Sequence, residues 1–99
     1  MTNRPRHPKP DANQADMIRD LRASGYTVID VSTLGGDALD LFVGGYHHIH
    51  PGPFWVQVEV KTADGELTDA EREYIFSHPE LDILVARCAE DVLRWFGAI

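Results

Sequence analysis

Ninety-nine residues, 43% of them hydrophobic, suffice for one domain with a single modest core and are too few for two. The net charge of −7 is unevenly spread: residues 1–10 carry Arg4, Arg6 and Lys9 with no acid, while residues 11–99 carry 6 basic against 16 acidic side chains. A single cysteine excludes a disulfide framework and a cysteine zinc site, no apolar run approaches the ~18 residues of a membrane span, and MTNRPRHPKP lacks the apolar segment of a secretory signal, so a cytoplasmic protein is expected.

Residues 1–10, with three prolines and no apolar period, read as a flexible basic arm ahead of one domain over residues 11–99. Asp11 or Asn13 is placed to cap a helix over Asn13–Ser24, with Ala15, Ile18, Leu21 and Arg22 spaced for one inward stripe. Gly25 follows as a left-handed residue that ends the helix. Tyr26–Val31 is β-rich, and Gly35 and Gly36 then break the chain. A second strand is predicted over Ala38–Val43, closed by Gly44 and Gly45 and followed by the polar turn HHIHPGP. The third strand, Phe54–Thr62, alternates: Phe54, Val56, Val58 and Val60 form a core face, while Trp55, Gln57, Glu59 and Lys61 form a polar one. Thr68 and Glu71 fit the T-x-x-E capping box of a second helix over Thr68–His78, which Pro79 stops. Leu81–Arg87 reads as a short buried strand and Ala89–Phe96 as a terminal helix. The class is α/β, in the order αβββαβα.

Asp40, Glu59 and Lys61 are the anomaly in this pattern. Apolar strands rarely hold ionised side chains, because an unpaired buried charge costs more than the strand recovers. Glu59 and Lys61, two residues apart on one strand, must share a face, and Asp40 joins them if the second and third strands form a hairpin. Two carboxylates then suit one Mg²⁺, and a lysine beside them suits a water or a developing oxyanion. Gln57 lies on the same face, placed to support a phosphate or a water. The bland alternative is a surface ion pair between Glu59 and Lys61.

The surrounding residues resemble the PD-(D/E)XK nuclease superfamily, particularly small phage and bacterial members akin to VRR-NUC domains and Holliday-junction resolvases. The resemblance covers residues 11 to 95. DANQADMIRDLRASGYTVIDVS is similar to the family's first helix and strand, GGDALDLFVGG to its G-G-x-x-P-D-L-x-x-G segment, VEVKT to its E-V-K strand, and Leu67 to Glu71 to the opening of the next helix. It implies a restriction-endonuclease-like αβββαβ(α) core with a mixed central sheet flanked by helices. It implies an Mg²⁺- or Mn²⁺-dependent endonuclease on DNA, with branched or junction DNA as substrate and a homodimer as the fitting assembly. Asp40 and Glu59 take the metal-ligand positions and Lys61 that of the catalytic lysine. Leu39 stands where the family usually has proline, and Gln14 where related resolvases often have a glutamate near the metal, so Gln14 is carried as a supporting residue. The rival is a catalytically inert module that keeps the fold and binds nucleic acid or a protein.

Other residues carry weaker expectations. Arg4, Arg6 and Lys9 of the arm are candidate nucleic-acid contacts. His47, His48 and His50 read as turn residues, with His47 and His48 as secondary candidates for a backbone contact beside the active site. Trp55 is a candidate base-stacking residue or packs under the terminal helix. Trp95 and Phe96 close the core or form a dimer contact. Cys88, in the apolar run DILVARC, is expected to be a small core residue. Glu71 is expected on a solvated helix face, besides its capping role.

Overall fold

The computed structural model describes residues 12–33 and 39–99. The basic arm with Arg4, Arg6 and Lys9, the cap at Asp11, the break at Gly35 and Gly36 and the strand start at Ala38 lie outside the described residues. Within them the order is α1 (Ala12–Ala23), β1 (Thr27–Asp30), β2 (Leu41–Tyr46), β3 (Pro53–Val60), α2 (Asp69–Ser77), β4 (Ile83–Ala86) and α3 (Ala89–Trp95). The strands form one mixed sheet in the order β1-β2-β3-β4, antiparallel across the first two pairs and parallel across β3 and β4.

Alternation along the strands sets the two faces. Val28, Val43 and Val56 are register partners, as are Leu41, Val58 and Leu84, and these point to the side covered by α1 and α3. Met17 and Leu21 from α1, and Ala89, Val92 and Phe96 at α3, fill the space between. The α1 stripe differs from the expected one. Met17 and Leu21 are buried and Ile18 is half-buried, whereas Ala15 and Arg22 are exposed. Ala15 lies two residues, about 200°, from Met17 and so faces away from the sheet. Arg22 still serves the packing, donating from Nη2 to the Val28 carbonyl at 2.9 Å.

Gly25 closes α1 as expected. Its φ is +94°, its amide donates to the Arg22 carbonyl and the Tyr26 amide donates to that of Leu21, both at 3.1 Å. That pair of bonds is a Schellman motif, which needs a residue comfortable in the left-handed region.

Gly44 and Gly45 do not end β2. The strand runs through them to Tyr46. A Cβ on Gly44 would stand 2.8 Å from three atoms of the Trp55 ring, and one on Gly45 would meet the Tyr26 ring. The glycines give two aromatic rings room to lie across the strand, so their role is close approach rather than chain breaking.

The capping box at α2 forms as the sequence predicts. Thr68 Oγ1 accepts from the Glu71 amide at 3.1 Å and Glu71 Oε1 accepts from the Thr68 amide at 2.8 Å. Thr68→Ala is expected to cost about 1 kcal/mol, a drop of about 4–8 °C in melting temperature for a domain of this size. A thermal melt checks it, and an unchanged melt would mean that α2 needs no cap.

Two expectations for the C-terminal part are corrected. Cys88 is exposed rather than in the core. It is the residue before α3, where the chain has left the sheet, so the alternation of β4 no longer governs it. Trp55 does not pack under α3. It lies on the opposite sheet face, 53% exposed, and Phe54 takes the place against Trp95, with ring centroids 6.4 Å apart. Phe96 closes the core and is fully buried.

Candidate functional site

Leu41 pairs with Val58, and that register, extended by one residue, sets Asp40 opposite Glu59. Asp40 is held there by its own side chain: Oδ2 accepts from the Val60 amide at 2.9 Å. Its backbone carbonyl accepts from Val31 at 2.9 Å, so both neighbouring strands fix it. Lys61 follows β3, and its amide bonds to the Ala86 carbonyl at 3.0 Å, continuing the parallel pairing with β4. Asp40, Phe42, Gln57, Glu59 and Lys61 therefore share the sheet face away from α1 and α3.

Glu59 is only 5% exposed, although it lies on the polar face. Side chains of α2 reach over that face. Tyr74 donates from its hydroxyl to Gln57 Oε1 at 3.0 Å, and Glu71 Oε1 stands 2.9 Å from Lys61 Nζ. Lys61 Nζ is also 3.5 Å from Glu59 Oε2. Gln57 is thus on the expected face and bonded to α2.

Glu71 is the site residue that sequence reasoning assigned to solvent. One oxygen, Oε1, serves both the Thr68 amide at the start of α2 and the Lys61 ammonium. The signal was the capping box itself, because a side chain turned back over the helix start is also turned toward whatever lies beneath it.

Burial pushes the Glu59 carboxyl up to about 9, helped by a hydrogen bond to Glu71 and the negative charges of Asp40 and Glu71, and opposed by Lys61. Burial would raise Glu71 too, but bonds from Glu59, the Thr68 amide and Lys61 outweigh it and bring Glu71 down to about 2. The two carboxyls hold one proton between them at neutral pH, with Glu59 donating to Glu71. For Lys61, burial favours the neutral amine, but the bonds and charges of Glu71 and Glu59 prevail and raise its pKa. Lys61 is a cation at neutral pH.

The backbone around the site is braced by residues that no motif pointed to. Asn13 Nδ2 donates to the Lys61 carbonyl at 2.9 Å and the Arg87 carbonyl at 3.3 Å, tying α1 to the ends of β3 and β4. Asn13 lies inside α1 and so is not its cap. The Arg87 guanidinium donates to the carbonyls of Thr62 and Gly65 and holds the turn that leads from Lys61 to α2.

Gln14, His47 and His48 are the remaining predicted residues among those described. Gln14 Nε2 donates to Asp30 Oδ1 at 3.3 Å and to Ser32 Oγ at 3.2 Å, at the end of β1. His47 and His48 are beyond the far end of β2, seven and eight residues from Asp40, about 23 Å or more along an extended chain. They do not stand beside the acids. His47 is a packing residue: its ring contacts Phe54, Trp95 and Phe96, and its Nδ1 accepts from the amides of Ile49 and His50 at 3.1 Å. His48 is exposed, with its amide bonded to the Phe96 carbonyl at 2.8 Å.

A hard divalent cation suits this donor set. Asp40 and Glu59 offer carboxyl oxygens, and if Glu59 lost its proton its charge would stand against those of Asp40 and Glu71, a repulsion that a cation would relieve. Among the described residues no group of three or more His, Cys, Asp and Glu side chains is arranged to hold a metal ion. Water and substrate oxygens would complete the coordination, as is usual for Mg²⁺.

The chain is a small α/β domain whose mixed four-stranded sheet carries an acid–acid–lysine cluster on one face, and among the described residues no helix is long and apolar enough to cross a membrane. No family model, curated protein or solved structure matches it.

Proposed function

We propose that this chain is a metal-dependent endonuclease of the PD-(D/E)XK kind, hydrolysing phosphodiester bonds of DNA. The observation that carries the reading is the β2–β3 register, which sets Asp40 alongside Glu59 with its carboxylate on the Val60 amide and Lys61 two residues on. The αβββαβα order and the mixed sheet, which the resemblance implies, support it further.

Asp40 and Glu59 would hold Mg²⁺ or Mn²⁺, which when bound supplies a more acidic water and neutralises charge on the phosphate. Each protein group has a task that follows from its surroundings. Asp40 is preoriented by the Val60 amide, so little ordering remains when a ligand arrives. Glu59 would have to lose its proton to solvent to serve as a ligand. Lys61 stays charged and, by turning from Glu71 toward the phosphate, offsets negative charge that grows during attack. It acts as a cation rather than as a base.

DNA binding by a chain of net charge −7 depends on the metal, on the basic arm or on a second subunit, and weakens steeply with salt. One observation favours the inert module: Lys61 is already held by the Glu71 carboxylate and lies 3.5 Å from the Glu59 carboxyl, as a structural polar network would hold it.

Incubation with linear, flapped and four-way-junction DNA separates the two. Cleavage is expected in Mg²⁺ or Mn²⁺ and not in EDTA. Asp40→Asn and Lys61→Ala are each expected to slow it by about 10²- to 10³-fold, with folding checked by circular dichroism. Cleavage unchanged in both variants sinks the assignment, and binding without cleavage establishes the inert module.

A further inference from the structure

Trp55, Gln57 and Glu59 are alternate residues of β3 on the same sheet face, so Trp55 stands about 13 Å along the strand from Glu59. Its ring lies face-on over Gly44: Cδ2, Cε2 and Cε3 are all 2.8 Å from the position a Gly44 Cβ would take. An edge-on ring would bring one or two atoms close, not three at equal distance. One indole face is therefore seated on the backbone of β2, and with the residue 53% exposed the other is turned outward.

Beside it is an open groove of about 380 Å³, whose lining includes Thr27, Gly44, Gly45, Tyr46, His48 and Trp55. Tyr26 and Tyr46 also line it, and Tyr46 is 72% exposed. None of the described residues lining it is acidic, although the chain carries 16 acids. In so acidic a protein, a groove with no carboxylate among its described lining residues adds no local repulsion to a polyanion. With Trp55, Tyr46 and Tyr26 along it, the groove offers a flat surface for a base.

We infer that Trp55 is a stacking platform for an unpaired nucleobase, so that the substrate is DNA with a single-stranded segment reaching along β3 to the acids. The inference rests on the nuclease reading for its substrate. A base in a continuous duplex has both faces covered by its neighbours and cannot lie on the indole. A base in a flap, gap or branch can. Stacking is indifferent to base identity, so the platform selects strand structure and not sequence. The seat explains Gly44, since any side chain there would lift the ring from the strand.

Titration in Mg²⁺ with an oligothymidylate strand and with a blunt duplex tests this. In a Trp95→Phe background, where Trp55 is the remaining indole, fluorescence is expected to be quenched by the single strand and not by the duplex. Trp55→Ala is expected to weaken single-strand binding by about 5- to 150-fold, the loss of one base–aromatic stack, with Trp55→Phe restoring most of it. Equal single-strand affinity in wild type and Trp55→Ala overturns the platform. So does self-association abolished by Trp55→Ala, which would assign the ring to a second copy of the chain. Cleavage without dependence on Trp55 leaves the nuclease and removes the platform. Quenching and Trp55-dependent binding without cleavage leave the platform and remove the nuclease. A wild type that neither binds nor cleaves removes both.

Discussion

Glu59→Gln is expected to raise the melting temperature at pH 8 and, in the same protein, to abolish cleavage. With a folded pKa of about 9, Glu59 keeps its proton at pH 8, whereas in the unfolded chain it ionises near the ordinary value of 4.5. Folding at pH 8 therefore takes up a proton. The folded state binds more protons than the unfolded one between these values, so the contribution of Glu59 to stability falls as pH rises from about 4.5 to 9. Glutamine has the shape and the donor of a protonated glutamate and needs no proton. It is expected to stabilise by about 2 to 4 kcal/mol at pH 8, or at least about 8 °C, and by little near pH 4.5. Glu71 acts in the opposite direction: with a pKa of about 2, its contribution is present above 4.5 and is lost as pH falls toward 2, in wild type and variant alike.

Metal binding supplies the control. A divalent cation must displace the Glu59 proton, so Mg²⁺ should stabilise wild type more at pH 8 than at pH 6 and release a proton in calorimetry. Glu59→Gln should show neither effect, and its cleavage rate should fall by at least about 10²-fold. Equal or lower stability of the variant across pH 5 to 9 would mean that Glu59 is not held protonated, and the account of the site would fail.

The parts of this fold that were legible are those where one residue type has one physical use. Gly25 sits where a left-handed residue must, Thr68 and Glu71 form the reciprocal cap their spacing demands, and the apolar alternation of β3 sets Glu59 and Lys61 on one face. Asp40 could be placed only conditionally, because register depends on pairing between strands and not on either strand alone. Glycine had two uses, and the sequence does not distinguish them. Gly44 and Gly45 looked like a strand end because nothing local shows that Trp55 and Tyr26 will lie across them. Glu71 is one of several acids between Asp64 and Glu73, and its place over Glu59 follows from how α2 lies on the sheet. His47, His48 and His50 read first as turn residues and lie between β2 and β3. The secondary reading of His47 and His48 as contacts beside the acids fails because the hairpin carries them to its other end. Cys88 shows the limit of alternation, since one residue beyond a strand the pattern stops.

Phe96→Ala should have the largest effect on stability. Phe96 is 0% exposed, and its ring stands 4.8 Å from Tyr26, 4.9 Å from Trp95 and 6.1 Å from His47. It joins the end of α3 to the tip of the β2–β3 hairpin, where its carbonyl also accepts from the His48 amide at 2.8 Å. Truncating a buried phenylalanine costs about 3–5 kcal/mol, because the cavity left behind collapses only in part. Domains of this size have about 5–15 kcal/mol in total, so the variant is expected to melt at least about 12 °C lower. Ile99→Ala, three residues on and 63% exposed, is the control and should change stability by less than about 0.5 kcal/mol. Because His47 fills the same cluster, loss of Phe96 should loosen the hairpin tip first, seen as faster hydrogen exchange at Ile49 and His50, whose amides rest on His47 Nδ1. The Val60 amide, held by Asp40 at the other end of the hairpin, should retain its protection relative to the rest of the sheet. A melt within about 3 °C of wild type, or equal loss of protection at both ends, would show that the aromatic cluster does not anchor the hairpin and that the two ends are not separable.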